Sequence, residues 1–349
     1  MKQPTPETGT PVHRVTMRDI ARAAGVHATT VSMALRDSPR LKATTRKKIQ
    51  KIAKKLGYRS DPVLSALNAY RISQQNPAFH ATIAWFNNWP NRESLLKHPT
   101  RRAFYEGASS QADQLGYRLE EFWLHEEGMT APRLTRILAA RNISAILLPP
   151  QPNPALETGF DYWNYSVIGF DFSATPSMVH LICNDDLHAI KTTISNLHEL
   201  GYRRIGFCYS KNVDEKLDHA ILEGVLYSYW KYPDLIPLPF CENHWDRKSL
   251  ADWMKTEKPD VVVGHLGIEK ELAAIGFSIP KEVGFSCLEL FPDSVNLSGI
   301  LMDNFFIGQQ AVNLLVGKIQ RGERGETSRV IHTFVQGKWI SGKSLAKDI

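Results

Sequence analysis

Apolar residues recur at helical spacing along the first part of the chain. Ile20, Ala23 and Ala24 share one helical face; Thr16 and Asp19 stand ahead of it in the Thr-x-x-acid arrangement that opens a helix, and Gly25 closes it. A second helix is predicted from about His27 to Arg36, with Val31, Ala34 and Leu35 inward. A third runs from near Thr44 to Gly57 and sets Ile49, Ile52, Ala53 and Leu56 on its inner face. Two short helices joined by a tight glycine turn make a helix-turn-helix. Beyond Pro77 the period changes. Short apolar runs (ATIAWFNN, SAILLPP, YSVIGFDFS, KPDVVVGHL, KEVGFSCLEL) alternate with helical segments, the pattern of parallel sheets with crossover helices. LGYRL at Leu115 and LGYRR at Leu200 recur in matching places, which predicts two similar α/β lobes.

Charge sharpens this division. Residues 1–75 hold 15 Lys or Arg against 4 Asp or Glu, a net of +11, whereas the remainder holds 27 against 32. So basic a segment, periodic and capped rather than low in complexity, points to a polyanionic partner, and its apolar residues are those of a compact core rather than a membrane anchor. Double-stranded DNA is the expected partner. The outer face of the third helix (Arg46, Lys47, Lys48, Lys51, Lys54, Lys55) fits phosphate binding. In a helix-turn-helix the second helix enters the major groove, so side chains pointing away from Val31 and Leu35 are expected at base edges.

The full length, 349 residues with 43% hydrophobic, accommodates two or three packed units. No window approaches the apolar length of a membrane span, and MKQPTPETGT lacks the apolar stretch of a signal peptide, so a cytoplasmic location and no membrane partner are expected. Cys183, Cys208, Cys241 and Cys287 lie far apart without a CxxC pair, which suggests buried reduced thiols rather than a zinc or dithiol site. No GxSxG, HExxH, P-loop or helix-opening GxGxxG occurs, and acid pairs such as Glu120–Glu121 are sequence neighbours whose side chains diverge. The expectation is a non-enzyme without cofactor or metal.

The run TMRDIARAAGV…TTVSMALRDSPRLKATTRKKIQKIAKKLGY resembles, in order and spacing, the DNA-binding headpiece of the LacI family of bacterial transcription regulators. RSDPVLSALNAYR then stands where that family has its hinge helix, and Leu67 matches the leucine that wedges into a minor-groove base step; as an alternative, it is an ordinary apolar residue of a linker helix. Leu64 departs from the small residue usual there. So does the recognition helix: His27 replaces a usual Ser, Ala28 and Thr29 hold the variable base-reading positions, and Met33 replaces a frequent Arg. Met and Ala offer only apolar contact, best matched to a thymine methyl, so the operator is expected to differ from the family's common one. The DNA-binding candidates are thus Thr16, Arg18, His27, Ala28, Thr29, Thr30, Ser32, Met33, Arg36 and Lys47, with Leu64 and Leu67 from the hinge; Tyr58 is included for phosphate contact, with packing as its alternative.

The resemblance continues into the α/β region, down to QGKWISGKSL, and implies a two-lobed, periplasmic-binding-protein-like core that dimerises and holds a small-molecule effector between its lobes. The expected layout is a disordered tail over 1–13, an all-α headpiece over 14–60, a hinge helix and linker over 61–75, and the core over 78–349. Effector-binding candidates are Asn87, Asn88 and Trp89 after the first strand, Asp171, and Glu289 at the place of a habitual acid. Trp89 suits stacking on a sugar or purine, or packing. Asp185 and Asp186 read best as helix capping. Two anchors look altered: Ile221 occupies the place of a usual Arg, and His265, in GHLG, that of an Asn. Loss of these bidentate donors puts a standard sugar effector in doubt and leaves a nucleobase or a vestigial pocket as alternatives.

Overall fold

The computed structural model describes residues 15–35, 41–58, 81–152, 159–172, 179–294, 296–325, 327 and 329–346. The expected tail, the hinge with Leu64 and Leu67, and Arg36 lie outside the described residues, as do the side chains of Thr29 and Ser32. The chain clusters into two compact units, one of residues 1–76 with 317–323 and one of 77–316 with 324–349.

The N-terminal unit holds α1 (Met17–Ala24), α2 (Ala28–Leu35) and α3 (Ala43–Lys55). Thr16 and Asp19 form a capping box: the Thr16 amide donates to Asp19 Oδ2 at 2.8 Å, and the Asp19 amide returns a bond to Thr16 Oγ1 at 3.4 Å. The helix ends on Gly25, whose φ of 66° lets the Val26 amide reach back to the Ala21 carbonyl at 3.0 Å. Gln50 of α3 donates to the Ala34 carbonyl at 3.0 Å, satisfying an acceptor in the last turn of α2. Ile20, Ala21, Val31, Ala34, Ile49 and Ala53 make the core. Two expected core positions differ. Ala23 is exposed and Ala21 is buried in its place, because the three-helix centre lies on the other flank of Ile20; Leu56 sits one residue past α3 and is also exposed.

The core unit contains two sheets. The first has the order β10-β5-β4-β3-β1-β2, all parallel, from β1 (Ala81–Asn87), β2 (Tyr117–Trp123), β3 (Ala145–Leu148), β4 (Ser166–Phe170), β5 (His180–Asn184) and β10 (His332–Val335). The second has the order β11-β9-β8-β7-β6, from β6 (Ile205–Cys208), β7 (Val261–Gly264), β8 (Gly284–Leu290), β9 (Ser298–Leu301) and the antiparallel edge β11 (Lys338–Ile340). Helices α4 (Ser94–Lys97), α5 (Pro99–Gln114) and α6 (Ala131–Ala140) belong to the first half of the sequence. They are followed by α7 (Asp186–Glu199), α8 (Lys211–Lys216), α9 (Ala220–Lys231), α10 (Arg247–Glu257), α11 (Ile268–Ala274) and α12 (Asn304–Arg321). Strands buried on both faces, such as Ile83–Phe86, explain the unbroken apolar runs of the sequence. Each lobe has its own core, Phe86, Ile146 and Val167 in the first and Phe207, Val263 and Phe285 in the second. The backbones of α5 and α12 meet at Gly107 and Gly308, where an added Cβ would overlap the carbonyl of Phe305 or of Phe104. Among the described residues no helix is long and apolar enough to cross a membrane.

Candidate functional site

Two surfaces carry chemistry, one in each unit. On the headpiece, Arg18, His27, Lys47, Lys48, Lys51, Lys54 and Lys55 are exposed, while Thr30, Met33 and Arg46 are half-buried. The first hydrogen bonds of α2 run from the Thr30 and Val31 amides to the His27 carbonyl, so His27 stands at the mouth of that helix. Ala28 and Tyr58 pack partly against the three-helix core. Thr16 is exposed, with its hydroxyl held on Asp19 Oδ2 at 2.7 Å.

In the core, a cavity of about 190 Å³ opens where the parallel strands of both sheets end. Its polar wall follows from that topology: Pro150 comes just after β3, Asp171 after β4, Asn184 at the end of β5, Tyr209 after β6, His265 after β7 and Glu289 at the end of β8. The backbone of Asp171 is left-handed, at φ 49°, a conformation that Asp tolerates better than most side chains. His98, Thr100, Arg101 and Phe104 enter from the start of α5, and Asp186, Ala189 and Ile190 from the start of α7. Val213, Leu217, Ile221, Leu288 and Met302 make much of the remainder apolar.

A hydrogen-bonded chain spans the two lobes. Thr100 Oγ1 donates to Glu289 Oε1 at 2.5 Å, Asn304 Nδ2 donates to the same oxygen at 3.2 Å, and Asn184 Nδ2 donates to Asn304 Oδ1 at 3.1 Å. Arg101 gives N–H groups to the carbonyls of Leu95 (2.8 Å) and Ser94 (3.0 Å) and lies 4.3 Å over the Trp89 ring. Burial pushes the Asp186 carboxyl up to about 8, helped by the charges of Glu289, Asp171 and Asp185. Glu289 is also raised by burial, against the bonds from Thr100 and Asn304. Burial holds His98 and His265 down to about 4, with Arg101 adding to the effect on the first and His244 and His98 on the second, so both imidazoles are neutral at pH 7. The Tyr209 hydroxyl and Asn184 Oδ1 are buried without a hydrogen-bond partner.

Residues 16–61 match the family model described as bacterial regulatory proteins, lacI family. The headpiece is thus LacI-like. The whole chain is similar in fold to solved LacI-family regulators. One is the transcriptional regulator CelR in complex with cellobiose (17% identity, 95% of this chain and 100% of that chain, TM-score 0.59). A second is the Lac repressor dimer bound to operator and the anti-inducer ONPF (17% identity, 95% and 100%, TM-score 0.55). A third is a LacI-family transcriptional regulator from Enterococcus faecium with bound ribose (18% identity, 76% and 98%, TM-score 0.58). The core has the periplasmic-binding-protein-like fold.

Set against this LacI-type frame, Asp171, Ile221, His265 and Glu289 meet at the cavity, and Asn87, Asn88 and Trp89 do not line it. Asn87 is fully buried: its Nδ2 donates to the Arg92 carbonyl and to Glu121 Oε1, both at 2.8 Å, and its Oδ1 accepts from the Trp89 amide at 3.0 Å. The Asn88 amide donates to Gln151 Oε1 at 3.2 Å, and Trp89 Nε1 donates to the Pro150 carbonyl at 2.9 Å, so this turn braces the wall behind Arg101. The acid pair splits. Asp185 caps α7 as expected, accepting from the His188 amide at 3.0 Å, but Asp186 faces the cavity. Ile221 lines the wall because its amide is held at 3.0 Å by Asp214 Oδ1, which caps α9 from the preceding helix. No motif marks Arg101, Thr100, Asn184, Asp186 or Tyr209 as site residues. The rule that ligands sit beyond the carboxyl ends of strands points to the last three.

Proposed function

We propose that the protein is a sequence-specific DNA-binding transcriptional regulator, a repressor, whose operator affinity is set by a small molecule held between the lobes of its core. The observation that carries this reading is the presence in one chain of a LacI-family headpiece, within a segment of net charge +11, and a cavity walled by both lobes. In this reading His27, Ala28, Thr29 and Met33 read bases, while Arg18, Lys47 and their basic neighbours hold phosphates and set the salt dependence. Leu67, with Leu64 beside it, wedges the minor groove. An effector that bridges the lobes binds their open and closed arrangements unequally, which gives it leverage on a DNA-dependent hinge. The unpartnered Tyr209 hydroxyl beside the cavity counts against a vestigial pocket.

One headpiece presents a single recognition helix, so useful specificity calls for two half-sites and a homodimer. An exposed apolar stripe on α9, Leu222, Leu226, Tyr227 and Trp230, supports self-association. Selection of sites from random duplex DNA, with light scattering at the saturating concentration, tests the whole reading. A two-fold symmetric site and a dimer are expected; no enriched site, or a monomer at saturation, overturns it.

A further inference from the structure

The cavity's polar groups are unevenly matched. Three carboxyl side chains, Asp171, Asp186 and Glu289, converge on it, and Asn184 Oδ1 is an additional buried acceptor with no partner. Arg101, the guanidinium in the lining, gives its N–H groups to the Ser94 and Leu95 carbonyls and lies over the Trp89 ring; its charge acts on Asp171 and Glu289, which leaves Asp186 the acid it does not offset. The two imidazoles in the lining, His98 and His265, are held neutral at pH 7 by burial. Tyr209, also in the lining, is 1% exposed, and its buried hydroxyl finds no partner. Asp186, which burial keeps largely protonated near pH 7, gives its proton to solvent when a cation takes its place, so a molecule that brings donors and positive charge completes the cavity. Among the described residues no group of three His, Cys, Asp or Glu is arranged to hold a metal ion. The walls of Phe104, Ile190, Leu217, Ile221, Leu288 and Met302 instead favour a carbon skeleton.

We propose that the effector is an organic cation, a compact apolar body bearing an ammonium or amidinium group, whose N–H donors are taken by Asp186, Glu289 and Asn184 Oδ1 and whose body lies against the apolar wall. The Tyr209 hydroxyl supplies a further bond to its polar end. This assignment rests on the reading of the cavity as the effector site and narrows it from any small organic molecule to a charged class. A bound cation competes with Thr100 and Asn304 for Glu289 Oε1, so its arrival loosens the hydrogen-bonded chain that spans the lobes.

The test uses the full chain without DNA at pH 7.5. Thermal shifts are read with matched pairs, phenethylamine and 2-phenylethanol, cyclohexylamine and cyclohexanol, benzamidine and benzamide, alongside ribose, glucose and cellobiose; calorimetry then gives affinities. The charged member of each pair is expected to raise the melting temperature more than its neutral partner and more than the sugars. Asp186→Asn is expected to weaken the best amine by about tenfold to a hundredfold, and Tyr209→Phe by a smaller factor. A variant that melts no lower than wild type without ligand excludes misfolding as the cause. Equal shifts from charged and neutral members, a preference for sugars, or undiminished amine binding in Asp186→Asn overturns the proposal. Operator selection does not enter this assay, so its failure leaves the regulator reading standing, and a core that binds amines beside a headpiece that selects no site is the converse outcome.

Discussion

The headpiece draws its candidate DNA face from one continuous stretch of chain, in which every third or fourth residue shares a surface, whereas the cavity takes its polar groups from residues as distant as His98 and Glu289. In the first region local periodicity and function coincide. In the second, function depends on which strand ends the topology brings together, and each contributing residue is locally unremarked. The two also treat charge oppositely. The headpiece keeps Lys47, Lys48 and Lys51 in solvent, where their charges are screened by salt. The cavity withdraws a few acids from water, where each one changes the energetics of its neighbours.

The sharpest way to break the comparison is to disable one region and ask whether the other survives. Gly308→Val forces a branched side chain into the backbone of α5 at Phe104, in packing that cannot relax without parting the helices. A loss of about 3 kcal/mol or more of core stability in urea is expected, and less than about 1 kcal/mol would mean that the close approach is not needed. Next in size is the hinge. Leu67→Ala is expected to remove a few kcal/mol of specific operator affinity, about the unstacked step it would wedge, with nonspecific affinity nearly intact at the same salt. Equal losses on operator and random DNA would reduce Leu67 to packing.

The cavity can be probed through its own ionisation. Because the folded protein holds the Asp186 carboxyl at about 8, well above an ordinary aspartate, the protonated form is favoured on folding. The stabilisation it brings is present at low pH and disappears as pH rises through that value. Neutral His98 and His265 act in the other sense: their contribution is present above an ordinary histidine's pKa and lost as pH falls toward about 4. The histidine contribution is common to both proteins and nearly complete above pH 7.5, so between pH 6.5 and 8.5 Asp186→Asn should flatten the wild-type decline by about 2 kcal/mol. Parallel wild-type and variant curves in urea over that range would mean that burial and the neighbouring acids do not hold Asp186 near 8.

The unequal legibility of the two regions has a physical origin. Thr16, Asp19 and Gly25 could be read as helix punctuation because capping is a local property of a few residues, and the structure contains those bonds. Ala21 and Ala23 are chemically identical, and only the direction from which the other two helices approach decides that the first is buried. The strands were visible as apolar runs, but no run says which side chain beyond its end will face a cavity. Asp185 and Asp186 make the point: adjacent and alike in sequence, they divide into cap and cavity wall because α7 begins between them. The stretch Asn87–Trp89, polar and just past a strand, had the right address and the wrong orientation; its hydrogen bonds are turned to Glu121, Arg92, Gln151 and Pro150. Residues such as Arg101 and Tyr209 needed the second lobe in place before any role could be assigned.

The smallest expected effects separate the two kinds of contact within the headpiece itself. Lys47 is exposed on the basic face of α3, and Met33 is half-buried on α2. A lysine that meets phosphate carries no sequence information, so Lys47→Ala should weaken all duplexes alike by about 1 kcal/mol and lower the salt slope by about one counterion. Met33 has no donor for a guanine edge and offers a thymine methyl only apolar contact, whereas arginine in its place brings a bidentate donor pair. Met33→Arg should therefore leave overall affinity for mixed sequences close to wild type while shifting the preferred base at one position of each half-site toward guanine. Site selection on both proteins at one salt concentration reads this directly. If the two recover the same sequences, Met33 does not face the bases, and the distinction between readout on α2 and anchoring on α3 fails with it.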